Sequence, residues 1–196
     1  MDDLPYSQAC ENNKSVILEK LTTVFATSNC VLEIGSGTGQ HAVFFANALS
    51  HLTWVPSDRV ENHQSIKAWI KHMPSPNLRP PLVMSFPEAT WPAEPIDAVF
   101  TANTAHIMQE NEVRAMMQLI EDALPAGGHF CQYGPFTDKG VFSSQSNQEF
   151  HLSLVARGYG GYRDIQELAN WSPSLQLLDV HEMPANNLLL HWQKTS

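Results

Sequence analysis

Apolar and polar positions along the chain switch repeatedly between a helical and a strand-like period, which predicts strands alternating with helices. Ile17, Leu21, Val24 and Phe25 share one face of a helix over about residues 12–26, with Asn12 or Asn13 placed to cap its start. Cys30–Ile34 is a short apolar run ending in glycines, the pattern of a buried strand. Ala42, Phe45, Ala46 and Leu49 then follow the i, i+3, i+4, i+7 rule of a helix. The alternation repeats with a strand at Leu52–Val55 and a helix marked by Ile66, Trp69, Ile70 and Met73, stopped by Pro74. Pro81–Phe86 and Ile96–Thr101 read as the third and fourth strands. Val113, Met116, Met117, Ile120 and Leu124 form a helix face with Asn111 as its cap, and His129–Tyr133 is the fifth strand.

The last third is less regular. Residues from about 147 to 157 carry a helical pattern, and Asp164-Ile-Gln-Glu167 has capping-box spacing at the start of a short helix. Leu175–His181 and Leu188–Trp192 read as strands joined closely enough for an antiparallel hairpin. The expected fold is α/β: a doubly wound, mostly parallel seven-stranded sheet with an antiparallel C-terminal hairpin. The expectation is one domain over residues 1–196, with 1–26 as an N-terminal lid or helix extension. Ligands of such sheets bind outside the carboxyl ends of the strands, at the switch point of strand order.

Composition narrows the function. The net charge of −9, from 20 acidic and 11 basic side chains, disfavours a nucleic-acid groove and an anionic membrane surface. Cys10, Cys30 and Cys131 are scattered, without the spacing of a disulfide scaffold or zinc site. No metal is expected: the nine histidines form no ligand motif. Met1-Asp2-Asp3-Leu4-Pro5 lacks the basic and apolar regions of a signal peptide, so the expected compartment is the cytoplasm. The expected partner is a small molecule, for a monomer or homodimer.

The candidate chemistry begins in Glu33-Ile-Gly35-Ser36-Gly37-Thr-Gly39. Glycines let this loop turn sharply and approach a ligand. A dinucleotide fingerprint would need Gly or Ala at position 40, where Gln40 stands. No Gly-Lys-Ser/Thr follows, which excludes a P-loop. The G-x-G-x-G spacing behind Glu33 fits S-adenosylmethionine, whose ammonium and sulfonium suit a nearby acid and whose structure has no pyrophosphate to repel. Asp58 closes the second strand roughly 20 residues on, the spacing of a ribose-binding acid. The alternatives are a solvated turn acid at Asp58 and a loop-bracing carboxylate at Glu33.

The segment Leu4-Pro-Tyr-Ser-Gln-Ala-Cys-Glu-Asn-Asn-Lys14 with Ile17-Leu18, the glycine loop, Tyr133-Gly-Pro-Phe136, Ser146-Asn147, Arg163-Asp164 and Met183-Pro-Ala-Asn-Asn187 together resemble a small class I methyltransferase-like family formerly catalogued as a domain of unknown function. The resemblance runs over nearly the whole chain. It implies a Rossmann-like class I methyltransferase fold and S-adenosylmethionine as cofactor, with no established substrate. Two positions depart from the family pattern. Asn12 stands where relatives often carry arginine, and Ser85 stands where an acid often ends the third strand.

Methyl transfer from a sulfonium is an in-line displacement that needs alignment and exclusion of water, with a base only for some acceptors. His106, in the loop after the fourth strand, is the candidate base, with a histidine packed at a helix start as the alternative. Asn103 is the other catalytic candidate, and also a cofactor contact or a turn residue. The cofactor set is Glu33, Gly35, Ser36, Gly37, Gly39, Asp58, Ser85 and Asn103; the acceptor set is Tyr6, Tyr133, Phe136, Asn186 and Asn187. Tyr6, Asn12, Asn13 and Lys14 are placed as a lid. The leading expectation is an S-adenosylmethionine-dependent methyltransferase acting on a small molecule. The alternatives are a non-catalytic S-adenosylmethionine-binding subunit or sensor, and a nicotinamide oxidoreductase.

Overall fold

The structure is a computed structural model that describes residues 4–195. Met1-Asp2-Asp3, used above in the signal-peptide reading, lie outside the described residues, as does Ser196. Over the described residues the chain divides into two compact units, 4–85 with Pro92–Thr101, and Phe86–Trp91 with 102–195.

The first unit is built on parallel strands β1 (Cys30–Ile34), β2 (Thr53–Asp58), β3 (Leu82–Val83) and β4 (Ala98–Ala102), in the order β3-β2-β1-β4. Every residue of β1 is buried, as a central strand covered on both faces requires. The chain runs outward from β1 to β3 and returns beside β1 as β4, so the carboxyl end of β1 is the switch point. Helices α1 (Gln8–Val24), α2 (Gln40–Ala48) and α3 (His63–His72) accompany these strands. The core holds an aromatic knot: Phe45 lies 5.5 Å from Trp54 and 5.3 Å from Phe100, ring centre to ring centre. All three are fully buried.

The second unit contains α4 (Glu110–Ala123), β5 (His129–Gly134), β6 (Phe136–Thr137), α5 (Gln145–Ala156), β7 (Arg163–Asp164), α6 (Ile165–Trp171), β8 (Leu175–Met183) and β9 (Asn187–Lys194). β9 runs antiparallel to both β5 and β8, which gives the expected C-terminal hairpin. β6 and β7 form a separate two-residue parallel pair; the other strands of the chain make up a mostly parallel seven-stranded sheet.

The fold expectation holds, with local corrections. α1 begins at Gln8, because the Ser7 hydroxyl accepts from Cys10 N–H and caps it there. Asn13, expected as a cap, is instead buried inside the helix. α4 is capped by Gln109 rather than Asn111, in a reciprocal capping box with Glu112. β2 runs through Pro56 to Asp58, because Pro56 keeps pairing opposite Glu33 without needing its absent N–H. β3 shrinks to two residues, and Val83 is exposed. The Asp164 cap stands: its carboxylate accepts from Gln166 N–H at 2.9 Å.

Candidate functional site

The glycine loop leaves β1 at the switch point and delivers the chain into α2. Gly35 and Ser36 N–H both donate to the Ser57 carbonyl, at 2.9 and 3.0 Å. Gly37 N–H donates to Asp58 Oδ2 at 2.7 Å, and Gly39 N–H to the Ser36 carbonyl at 2.8 Å. Four loop amides are thus spent on the protein itself. Two of the glycines are required for different reasons. Gly39 has φ +94°, and a Cβ there would lie 2.8 Å from the Ile66 Cα of α3. Gly37 has φ +55° and nothing within 4 Å of the place its Cβ would take, so it borders open space.

Asp58 is buried at the end of β2. Its carboxylate accepts from Gly37 N–H, from Arg59 N–H at 2.7 Å and from Asn62 Nδ2 at 2.9 Å. It is a brace between the end of β2 and the glycine loop, not a solvated turn acid. Ser85 is exposed, and the preceding Met84 N–H donates to the Asp58 carbonyl at 2.9 Å. Ser36 is buried, and its hydroxyl accepts from Ser57 N–H at 3.2 Å.

Glu33 is buried beneath the loop, where its Oε2 accepts from Trp54 Nε1 at 2.9 Å. Burial pushes its carboxyl up to about 7, against the opposing hydrogen bonds from Trp54 and Ser36. Near neutral pH it is therefore partly protonated. Its carboxyl thus ties β1 to a side chain of the neighbouring β2.

The N-terminal segment lies against this loop. Gln40, almost fully buried, accepts at Oε1 from Ser7 N–H at 2.5 Å and donates from Nε2 to Glu11 Oε1 at 3.0 Å. His41 Nε2 pairs with Asn13 Oδ1 at 2.7 Å, and Trp69 Nε1 donates to the Pro5 carbonyl at 2.6 Å. Cys10 N–H donates to the Ser7 hydroxyl at 3.4 Å. Lys14 pairs with Glu11 at 2.6 Å and stands over the Phe44 ring. Asn12 faces outward to Gln8, and Tyr6 is 60% exposed. Sequence reasoning misses Gln40, His41 and Trp69 as site residues. The available signal is a Gln-His pair at the start of a helix that is otherwise apolar on its buried side.

The second unit holds the remaining candidates. Asn103 adopts φ +58°, and its N–H donates to the Tyr133 carbonyl at 2.9 Å, the conformation of a turn residue. His106 is buried beside Phe150 and Tyr162, with its carbonyl accepting from Gly161 N–H. Burial lowers its imidazole to about 4, so it is neutral at physiological pH. Tyr133 and Phe136 are also buried. Asn186 and Asn187 shape the hairpin tip: Asn147 Nδ2 donates to the Asn186 carbonyl at 3.0 Å, and Asn187 Nδ2 to the Pro184 carbonyl at 3.1 Å. Among the described residues no group of three His, Cys, Asp or Glu side chains is placed to hold a metal ion, and no helix is long and apolar enough to cross a membrane.

The family described as "Protein of unknown function (DUF938)" matches residues 4–194. The chain belongs to this family. As a DUF938 protein it also resembles solved methyltransferases in fold. A putative O-methyltransferase from Nostoc punctiforme superposes with a TM-score of 0.80 at 14% identity, over 94% of this chain and 56% of that one. Human N-acetylserotonin methyltransferase, in complex with S-adenosylmethionine, gives 0.76 at 14% identity, over 93% and 52%. The S-adenosylmethionine-dependent methyltransferase SibL gives 0.74 at 17% identity, over 96% and 56%. The DUF938 chain spans about half the length of these structures. Its fold is that of class I methyltransferases.

Proposed function

We propose that this protein is an S-adenosylmethionine-dependent methyltransferase with a small-molecule acceptor. The observation that carries the reading is the state of the glycine loop. A dinucleotide or phosphate site works by offering free backbone N–H groups to phosphate oxygens. Here Gly35, Ser36, Gly37 and Gly39 have already donated theirs, and a carboxylate, Asp58, sits against the loop. That arrangement repels a pyrophosphate and suits an adenosyl ligand without one. Gly37 supplies the open approach.

In this reading Glu33, Gly35, Ser36, Gly37, Gly39, Asp58 and Ser85 line the donor site, with Asp58 offering its remaining lone pair to a ribose hydroxyl. S-adenosylmethionine brings the activated methyl group. The chain's own residues hold the adenosyl part and keep water from the loop. Asn103, Tyr133, Phe136 and the Asn186–Asn187 tip are proposed to shape the acceptor side. Where the acceptor must lose a proton, neutral His106 is the group to take it, yet an imidazole held near 4 is a weak base at neutral pH. Acceptors whose attacking atom needs no prior deprotonation fit better. Support for a small acceptor comes from neighbours of the same fold named for one, such as mitomycin 7-O-methyltransferase.

The test is thermal unfolding with S-adenosylmethionine, S-adenosylhomocysteine and NAD. A ligand at 100 times its dissociation constant adds about 2.7 kcal/mol, which raises Tm by roughly 5–11 °C for a chain of this size. Both sulfur ligands are expected to produce the shift and NAD none; the reverse pattern overturns the reading. Methylated product from acceptor pools then distinguishes an enzyme from a binding subunit.

A further inference from the structure

Gln40 breaks the dinucleotide pattern, and the structure shows what occupies it. α1 is held in two different ways along its length. From Ile17 onward it is anchored by apolar burial: Ile17, Leu21 and Phe25 at its end are all 0% exposed. Over Leu4–Lys14 the only buried residue is polar, Asn13. Hydrogen bonds are the main hold on this stretch: Ser7 N–H and Glu11 on the Gln40 amide, Asn13 on His41, and the Pro5 carbonyl on the Trp69 indole. A helix end held by polar bonds opens far more readily than one held by a packed face. Beneath it lie Thr38 of the glycine loop and Gln40, whose Oε1 accepts from both Ser7 N–H and the Thr38 hydroxyl.

We propose that the first two turns of α1, with the Pro5–Ser7 segment before them, form a strap that closes the donor site, and that Gln40 is the positioning residue that latches it. An amide is suited to the task because it accepts a backbone N–H at one end while donating to a carboxylate at the other. Glutamate at 40 would repel Glu11, and leucine would hold neither partner. The hinge lies between Lys14 and Ile17, where polar attachment gives way to the apolar anchor. Opening the strap frees the glycine loop for donor exchange; closing it shields the loop from water. This inference rests on the proposed donor site.

The experiment pairs amide hydrogen exchange with the dissociation rate of S-adenosylhomocysteine. Gln40→Leu is expected to speed exchange over residues 8–14 at least tenfold, leave Ile17–Val24 as protected as before, and speed ligand release about tenfold. Gln40→Glu should do the same, and adding Glu11→Gln should restore both readouts, because the swapped pair again matches donor to acceptor. Trp69→Phe removes only the outer bond and carries the test if Gln40→Leu does not fold. Unchanged exchange in Gln40→Leu and Trp69→Phe overturns the latch. Faster exchange with unchanged release overturns the closing role. A wild-type protein that binds no adenosyl ligand overturns the donor reading instead, and the exchange measurements still decide the latch.

Discussion

Asp58 has two duties, and substitutions can separate them. An ionised carboxylate has about four lone-pair sites, and three are used here, by Gly37 N–H, Arg59 N–H and Asn62 Nδ2. The proposed ribose contact takes the fourth. Asp58→Ala removes everything: the glycine loop loses its brace, at a stability cost of about 2–3 kcal/mol for hydrogen bonds to a charged group, and adenosyl affinity falls with it. Asp58→Asn keeps one oxygen: turned to Arg59 N–H and Asn62 Nδ2 it abandons both Gly37 and the ribose, and turned to the loop it sets its NH2 against those two donors. It is expected to lose about 1 kcal/mol of stability and at least tenfold in S-adenosylhomocysteine affinity. Denaturant midpoints and calorimetric titration measure the two quantities. If Asp58→Asn binds as tightly as wild type, the acid braces the loop and does nothing for the ligand.

At the scale of elements, the junction of β1, the glycine loop and α2 depends on close approach of α3. The missing Cβ of Gly39 would sit 2.8 Å from the Ile66 backbone, and its φ of +94° is hostile to any side chain. Gly39→Ala should therefore push α2 from α3 and destabilise by about 2–4 kcal/mol, since strain and overpacking add. Gly37→Ala meets no neighbour, so its cost is the left-handed conformation alone, about 1–2 kcal/mol. Its methyl group instead intrudes on the open face of the loop, so it should weaken adenosyl binding more than its stability loss implies. If Gly37→Ala binds normally, that face is not where the ligand lies. These elements are largely legible in the sequence. The period of Ala42, Phe45 and Ala46 marks α2, the unbroken apolar run Cys30–Ile34 marks β1, and glycine spacing places the turn between them. The caps of α1 and α4 fall a few residues from their expected positions because Ser7, Asn12 and Asn13, or Gln109 and Asn111, are locally equivalent caps. Tertiary partners decide: His41 claims Asn13 for the interior. The same blindness hides the latch: the sequence offers residues 1–26 as a lid but not what holds it. Sequence alone shows Gln40 only as the Cβ that excludes a dinucleotide, because its partners Ser7 and Glu11 lie some 30 residues away along the chain. Glu33 likewise looks like a ligand acid, and the sequence does not show that Trp54, on the neighbouring strand, is its hydrogen-bond partner.

The whole molecule carries these buried groups as a stability profile. His41 and His106 are held near 4 by burial, against an ordinary value of 6.5. Between pH 4 and 6.5 the unfolded chain therefore binds up to two protons more than the native one. One proton of difference gives a slope of about 1.4 kcal/mol per pH unit, so these histidines make stability rise by about 2.7 kcal/mol per unit across that window. His191, partly buried and crowded by His129, acts in the same direction. Glu33 opposes them. Its folded value of about 7 lies above the ordinary 4.5, so the native state holds one proton more between those limits, and stability falls by about 1.4 kcal/mol per unit as pH rises through them. For His41, His106 and Glu33 alone the sum is a shallow rise of about 1.4 kcal/mol per unit from about pH 4.5 to 6.5, which His191 steepens, then a decline to about pH 7 where only Glu33 still titrates. Glu33→Gln preserves an acceptor for the Trp54 indole and removes the titration. Its urea midpoints should climb more steeply than wild type from about pH 4.5 to 6.5, with an added slope in stability of about 1.4 kcal/mol per unit, and then level off. Parallel profiles for the two proteins would show that Glu33 is ionised throughout, which would return it to the role of a charge available to the ligand.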